Sequence, residues 1–156
     1  MSPPTLVLGI GNILLGDEGA GVHAVRRLQR QGASEGVAYL DGGTLGLALA
    51  GRIAECERLI VIDAAELECA AGTVHSFVDE AMDGFLSTRH GRSVHEVGLI
   101  DLMAMARLSG RLPQRRALVG IQPETVHWGE RPGARVGAAL PVACDTVADL
   151  IREWRQ

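Results

Sequence analysis

A chain of 156 residues with a net charge of −4 is sized for one domain spanning 1–156, and its lack of a basic run argues against nucleic-acid binding. Apolar residues make up 47 % but aromatics only 3 %, so the core must be aliphatic and alanine-rich. No apolar run approaches the ~20 residues of a membrane span, and Met1-Ser2-Pro3-Pro4 lacks the basic-then-apolar pattern of a signal peptide, which predicts a cytoplasmic protein that does not engage membrane.

Thr5–Ile10 reads as a short buried strand. It runs into Gly9-Ile10-Gly11-Asn12-Ile13-Leu14-Leu15-Gly16-Asp17-Glu18-Gly19, a glycine-rich turn ending in two adjacent carboxylates where a helix begins. Such a turn ordinarily favours an anion, because the first N–H groups of a helix have no intrahelical acceptor. Asp17 and Glu18 already occupy that place, so the turn is suited to a cation or a protonated group. The helix over 19–31 sets Val22, Val25 and Leu28 on one face and Arg26, Arg27 and Arg30 mostly on the other. Gly19 and Gly21 in its first turn each cost about 1 kcal/mol relative to Ala; the expected return is close approach of another backbone or of a ligand chain.

A second strand over 36–40 ends in the loop Asp41-Gly42-Gly43-Thr44, with Thr44 as a cap for a helix over 45–55. The run Arg58-Leu59-Ile60-Val61-Ile62 is the clearest strand, of the kind buried on both faces of a parallel sheet, and it ends at Asp63. Strand–helix–strand–helix–strand at this spacing predicts right-handed crossovers in a parallel sheet. In the order 2-1-3 the first and third strands are neighbours, and ligands bind at the switch point outside their carboxyl ends. Glu18 and Asp63 would flank that crevice.

The strand over 72–78 is expected at an edge, antiparallel to its neighbour. Residues 79–92 are polar, a short helix followed by a loop. Ser93-Val94-His95-Glu96 is a capping-box pattern opening an apolar helix over 97–108 that stops at Gly110. The last strand is 117–121, followed by Gln122-Pro123-Glu124 and a turn-rich loop over 128–133. The final helix carries the stripe Val147, Leu150, Ile151 and Trp154, with a break expected near Pro141.

The capping box puts His95 near a helix start, where the dipole disfavours imidazolium and favours the neutral, ligand-competent ring. Glu18, Asp63 and His95 would make two carboxylates and an imidazole, a set suited to a borderline divalent ion such as nickel or zinc with positions left open. From spacing alone each has a structural reading too: Glu18 compensates a helix dipole, Asp63 caps a turn, and His95 simply lies in a first turn. His23, His75, His90 and His127 read as surface or structural residues. His95-Glu96 does not begin HExxH, since Leu99 stands where the second histidine belongs, and no Gly-x-Ser-x-Gly elbow is present. Cys56, Cys69 and Cys144 form neither a disulfide framework nor a metal knuckle nor a nucleophile signature. A nucleotide-binding domain is the rival enzyme-class reading, with Asp41 on a ribose. Leu14 in place of the third glycine, and two carboxylates where a pyrophosphate would sit, count against it.

These residues together resemble the nickel–iron hydrogenase maturation endopeptidases. Gly9-Ile10-Gly11-Asn12 with Gly16-Asp17-Glu18-Gly19-Ala20-Gly21-Val22 is similar to that family's first motif. Asp41-Gly42-Gly43-Thr44-Leu45-Gly46 is similar to its second, and the end of the Ile60–Asp63 strand to its third. Ser93-Val94-His95-Glu96-Val97-Gly98-Leu99 is similar to its histidine motif, and Gly120-Ile121-Gln122-Pro123-Glu124 and the Trp128-Gly129 turn to its late elements. The likeness spans nearly the whole chain in order.

The resemblance implies an α/β/α sandwich, three layers around a mostly parallel twisted sheet of about five strands. It implies Glu18, Asp63 and His95 at the metal-binding positions, and cleavage of a C-terminal extension from a hydrogenase large-subunit precursor once nickel is inserted. It implies that the nickel arrives with the substrate, and that zinc or cadmium could stand in for it in a crystal. On this reading Asp63, with Glu18, serves catalysis, and Asp41, Gly42, Gly43, Thr44 and Gly46 help bind the extension peptide. A monomer acting on one large client is expected. The non-enzymatic rival is a nickel-dependent chaperone that binds the large subunit without cutting it.

Overall fold

A computed structural model describes residues 4–44, 46–88, 94–124 and 128–156, with backbone alone for 94–97. The elements in chain order are β1 (Thr5–Ile10), α1 (Ala20–Gln31), β2 (Val37–Gly43), α2 (Ala48–Glu55), β3 (Arg58–Ala64), β4 (Val74–Val78), α3 (Glu80–Ser87), α4 (Val94–Leu108), β5 (Arg115–Ile121) and α5 (Ala134–Trp154), with a 3-10 turn over Asp17–Gly19 before α1. The five strands lie in the order β2-β1-β3-β5-β4. β1, β2, β3 and β5 are parallel, whereas β4 runs antiparallel on the β5 edge.

Both faces of the sheet are covered. Val7, Ile60, Ile62, Val119 and Ile121 pack against α1 and α5. Leu6, Leu8, Leu59, Val61 and Leu118 turn the other way, onto Ile53 of α2, Met82, Phe85 and Leu86 of α3, and Leu99, Leu102 and Met103 of α4. Alternation of side chains along a strand makes this division, and helices on two faces explain why β1 and β3 read as unbroken apolar runs. The α/β/α sandwich, the adjacency of β1 and β3, and the antiparallel edge strand are therefore as the sequence predicts.

Several boundaries differ. The second strand does not stop at Leu40: it extends through Gly43, because β1 shifts register between Gly9, opposite Asp41, and Ile10, opposite Gly43, leaving Gly42 as the extra residue of a bulge. The next helix begins at Ala48 without a side-chain cap, so Thr44 is not its cap. The short helix expected within 79–92 is α3, anchored by buried Met82, Phe85 and Leu86, and the loop expected after it falls mostly outside the described residues. Ser93, the expected cap of α4, lies outside the described residues.

Pro141 does not break the last helix, which is continuous over Ala134–Trp154. A mid-helix proline costs about 3 kcal/mol. Buried residues on both sides of it, Val136 and Ala139 before and Ala143, Val147, Leu150, Ile151 and Trp154 after, hold one continuous stripe on the sheet. Burying several aliphatic side chains at roughly 1.5–3 kcal/mol each outweighs the lost hydrogen bond. No helix among the described residues is long and apolar enough to cross a membrane.

Candidate active site at the carboxyl end of the sheet

Two glycines bring the acidic turn to the end of the sheet. Gly11 sits at φ +142°, and a Cβ there would collide with the Glu18 carbonyl oxygen. Only a bare backbone lets the loop fold back on its own 3-10 turn. Gly21, in the first turn of α1, lies directly on the Ile10 and Ile62 carbonyl oxygens, and a Cβ would strike both. The close approach expected of Gly19 and Gly21 is thus to other backbone: Gly19 abuts Ile13. Asn12 sets the intervening loop, its Oδ1 accepting the Leu14 N–H at 2.9 Å.

The consequence is placement. Asp63 follows Ile62 in β3 opposite Gly120 of β5, with its side chain only 1 % exposed. Glu18 lies three residues before Gly21, on a turn that contacts β3 and is half-buried. The turn that carries Glu18 thus contacts β3, the strand that carries Asp63. Asp63 shares its sheet face with Leu59 and Val61, the face covered by α4. His95 is the second residue of α4, and as the helix leading back to the amino end of β5, α4 begins at the carboxyl end of the sheet. The His95 side chain lies outside the described residues; among those described, no three His, Cys, Asp or Glu side chains cluster as a metal site.

Asp17 joins two loops. It is 1 % exposed, and its Oδ2 accepts the Glu124 N–H at 2.9 Å while Oδ1 accepts the Gly133 N–H at 2.7 Å. One carboxylate thus holds both ends of the β5–α5 loop against the β1–α1 loop. Two further bonds join those loops, Gly16 N–H to the Gly129 carbonyl at 2.8 Å and Gly129 N–H to the Leu14 carbonyl at 2.9 Å. The sequence marks Asp17 as a carboxylate at a helix start; its partners, over 100 positions away, carry no local signal.

The second motif is divided by its contacts. Asp41 is ion-paired to Arg26 of α1, with Nη2–Oδ2 at 3.0 Å, and its Oδ1 accepts the Gly43 N–H at 3.0 Å. Gly42 is packed against Leu8 and Leu49, and the carbonyl of Gly43, at φ +55°, accepts the Gly11 N–H at 2.7 Å. Thr44 and Gly46 are exposed at the same end. Beyond β3, Gln122 ties down the alanine-rich stretch, accepting the Leu67 N–H at 2.6 Å and donating to Glu66 Oε2 at 3.1 Å.

The cysteines and the other histidines differ in their surroundings. Burial pushes the Cys56 thiol up to about 11 and also raises Cys144, so neither is a thiolate near neutrality. Cys69 is exposed and all three are unpaired with one another. Burial, reinforced by Arg26 and opposed by a hydrogen bond to the Glu130 backbone, lowers His23 below its ordinary value, so it is a neutral structural ring near pH 7. His75 is exposed on β4 against Phe77. His90 and His127 lie outside the described residues.

Comparison with known proteins agrees with this architecture. Residues 22–147 match the family described as hydrogenase maturation protease. The chain is 37 % identical to the hydrogenase expression/formation protein HupD of Rhizobium leguminosarum bv. viciae, over 98 % of its own length and 76 % of the relative's. It is 38 % identical to the hydrogenase 2 maturation protease of Escherichia coli K12, over 95 % of this chain and 90 % of that one. Among solved structures, the hydrogenase maturating endopeptidase HybD from E. coli superposes with a TM-score of 0.88 at 36 % identity, covering 96 % and 92 % of the two chains. A maturation protease HybD from Thermococcus kodakarensis gives 0.77 at 30 % identity, covering 94 % and 97 %.

Proposed function

The chain belongs to the hydrogenase maturation proteases, a family of endopeptidases, and from that premise we propose that it removes the C-terminal extension of a nickel–iron hydrogenase large-subunit precursor after nickel insertion. The observation that carries the reading is the seating of the Glu18 turn, through Gly21, on the residue preceding buried Asp63. The segments that carry the two carboxylates are in contact at the switch point of a parallel sheet, where such folds bind ligands.

Glu18, Asp63 and His95 contact the nickel that the precursor brings. Three protein donors of N/O type leave positions open on a borderline divalent ion, so recognition consists of completing the coordination of a metal already held by the client. The ion polarises the scissile carbonyl, water adds to its carbon, and Asp63 takes the proton that water releases. Collapse of the adduct breaks the C–N bond, and the proton passes to the leaving amine. The exposed rim around Gly43, Thr44 and Gly46 binds the extension peptide, while Asp41 holds that rim through Arg26. The protein works as a monomer in the cytoplasm.

The test compares nickel-loaded with nickel-free precursor by mass spectrometry. The expected result is a loss of mass at the C-terminus of the loaded precursor only. Cleavage of both would remove nickel as the licence. Stable binding of the loaded precursor with no mass change would make the protein a chaperone rather than a protease.

A further inference from the structure

Three loops leave the carboxyl end of the sheet beside the candidate site, and each exposes a large apolar side chain. Leu14, on the loop after β1, is 51 % exposed. Leu47, between β2 and α2, is 74 % exposed, and Trp128, on the loop after β5, is 82 % exposed. Solvated tryptophan is uncommon without a use, because its apolar ring is large and its burial correspondingly favourable. The three belong to the same pole because β1, β2 and β5 are parallel strands of one sheet.

Two of these side chains stand on a stiffened support. The Leu14 carbonyl accepts the Gly129 N–H at 2.9 Å, and the Gly129 carbonyl accepts the Gly16 N–H at 2.8 Å, forming a short bridge between the loops. Asp17 fixes the same loop at Glu124 and Gly133. Leu14 and Trp128 are therefore held next to one another in sequence register rather than on independent tips. The loop that carries Leu14 also carries Glu18 four residues on, so the apolar edge continues into the site.

We infer that Leu14, Leu47 and Trp128 form a docking rim that seats an apolar surface of the precursor next to its scissile bond. This rests on the protease reading. The occupant follows from position: a side chain on the loop of a catalytic carboxylate meets whatever polypeptide reaches that carboxylate. A rim that is ordered before binding loses little conformational freedom on contact, and an exposed tryptophan among smaller apolar residues is the composition of an interface anchor.

The experiment measures precursor affinity and cleavage kinetics for wild type, Leu14→Ser, Leu47→Ser, Trp128→Ser and the control Leu108→Ser, using the nickel-loaded hydrogenase large-subunit precursor. Leu108 is 88 % exposed at the far end of α4, which leads to the opposite pole of the sheet, so its change removes apolar surface without touching the rim. KM and the dissociation constant should rise about tenfold for Trp128→Ser, the size of loss typical of a truncated interface anchor, and less for each leucine. Turnover should stay within about twofold and Leu108→Ser should match wild type. Unchanged affinity in all three rim variants, or an equal loss in Leu108→Ser, overturns the rim. Rim variants that lose self-association but not precursor affinity would do the same. Wild type that binds the precursor without cutting it would sink the protease reading alone, since the affinities still decide the rim.

Discussion

Asp17 accepts the Gly133 backbone N–H at 2.7 Å across 116 positions of sequence. With the bond from Glu124 at the other end of the same loop, this makes Asp17 the clasp between the first and last loops of the site. Its neighbour Glu18 is only half-buried. Two adjacent carboxylates that look alike in sequence differ in burial, Asp17 being 1 % exposed and tied to two backbone donors.

Asp17→Ala should therefore destabilise the fold as well as slow processing. It strands two backbone donors, and hydrogen bonds to a charged acceptor are worth roughly 1.5–3 kcal/mol each, so a loss of about 3–6 kcal/mol is expected. Urea denaturation with an unchanged m-value is the measurement. A midpoint equal to wild type would show that the clasp contributes nothing.

Gly21→Ala pits two effects against each other. Helix propensity alone predicts a gain of about 1 kcal/mol. The added Cβ meets the Ile10 and Ile62 carbonyl oxygens, which are backbone and cannot step aside; such overpacking costs roughly 1–3 kcal/mol or more. The clash should win, lowering stability and shifting the Glu18 turn. Gly51→Ala is the counterpart, because a Cβ there meets nothing within 4 Å in α2. It should stabilise by about 0.4–1 kcal/mol, and thermal melts of the pair should move in opposite directions.

Asp83 predicts a feature of the acid limb. Arg116, only 8 % exposed, grips it with Nε–Oδ1 at 2.9 Å and Nη2–Oδ2 at 2.6 Å, and that guanidinium holds the carboxyl below its ordinary value of 3.8. The unfolded chain then binds this proton more readily than the folded one. The stabilisation is complete well above pH 3.8 and is lost as pH falls through the lower folded value. Asp83→Ala leaves Arg116 buried without its carboxylate, which should cost about 3–5 kcal/mol near neutrality. The variant's stability should also fall less steeply with acid, as followed by denaturant titrations between neutral pH and pH 3.

Asp63→Asn should fold as wild type does, bind nickel-loaded precursor, and fail to process it. The substitution keeps size and polarity while removing the charge and the basic oxygen that hydrolysis is argued to need. Circular dichroism and C-terminal mass of the precursor decide it; full processing would end the assigned role.

The sequence by itself determined the layered fold, because apolar runs, helical stripes and turn glycines are local patterns with fixed periods. The apolar run of β3 ending at Asp63 and the acidic turn after β1 place Glu18 and Asp63 at one switch point as soon as the strand order is known. The stripe of Val147, Leu150, Ile151 and Trp154 predicted the buried face of α5. Only the tertiary structure decided which carboxylate is taken up by backbone donors. Asp17 differs from Glu18 through Glu124 and Gly133, Asp41 is occupied by Arg26, and Pro141 is tolerated because both halves of α5 pack on one sheet. Each of these depends on a contact between distant segments or on the sum of packing over a whole helix. No window of neighbouring residues contains that information.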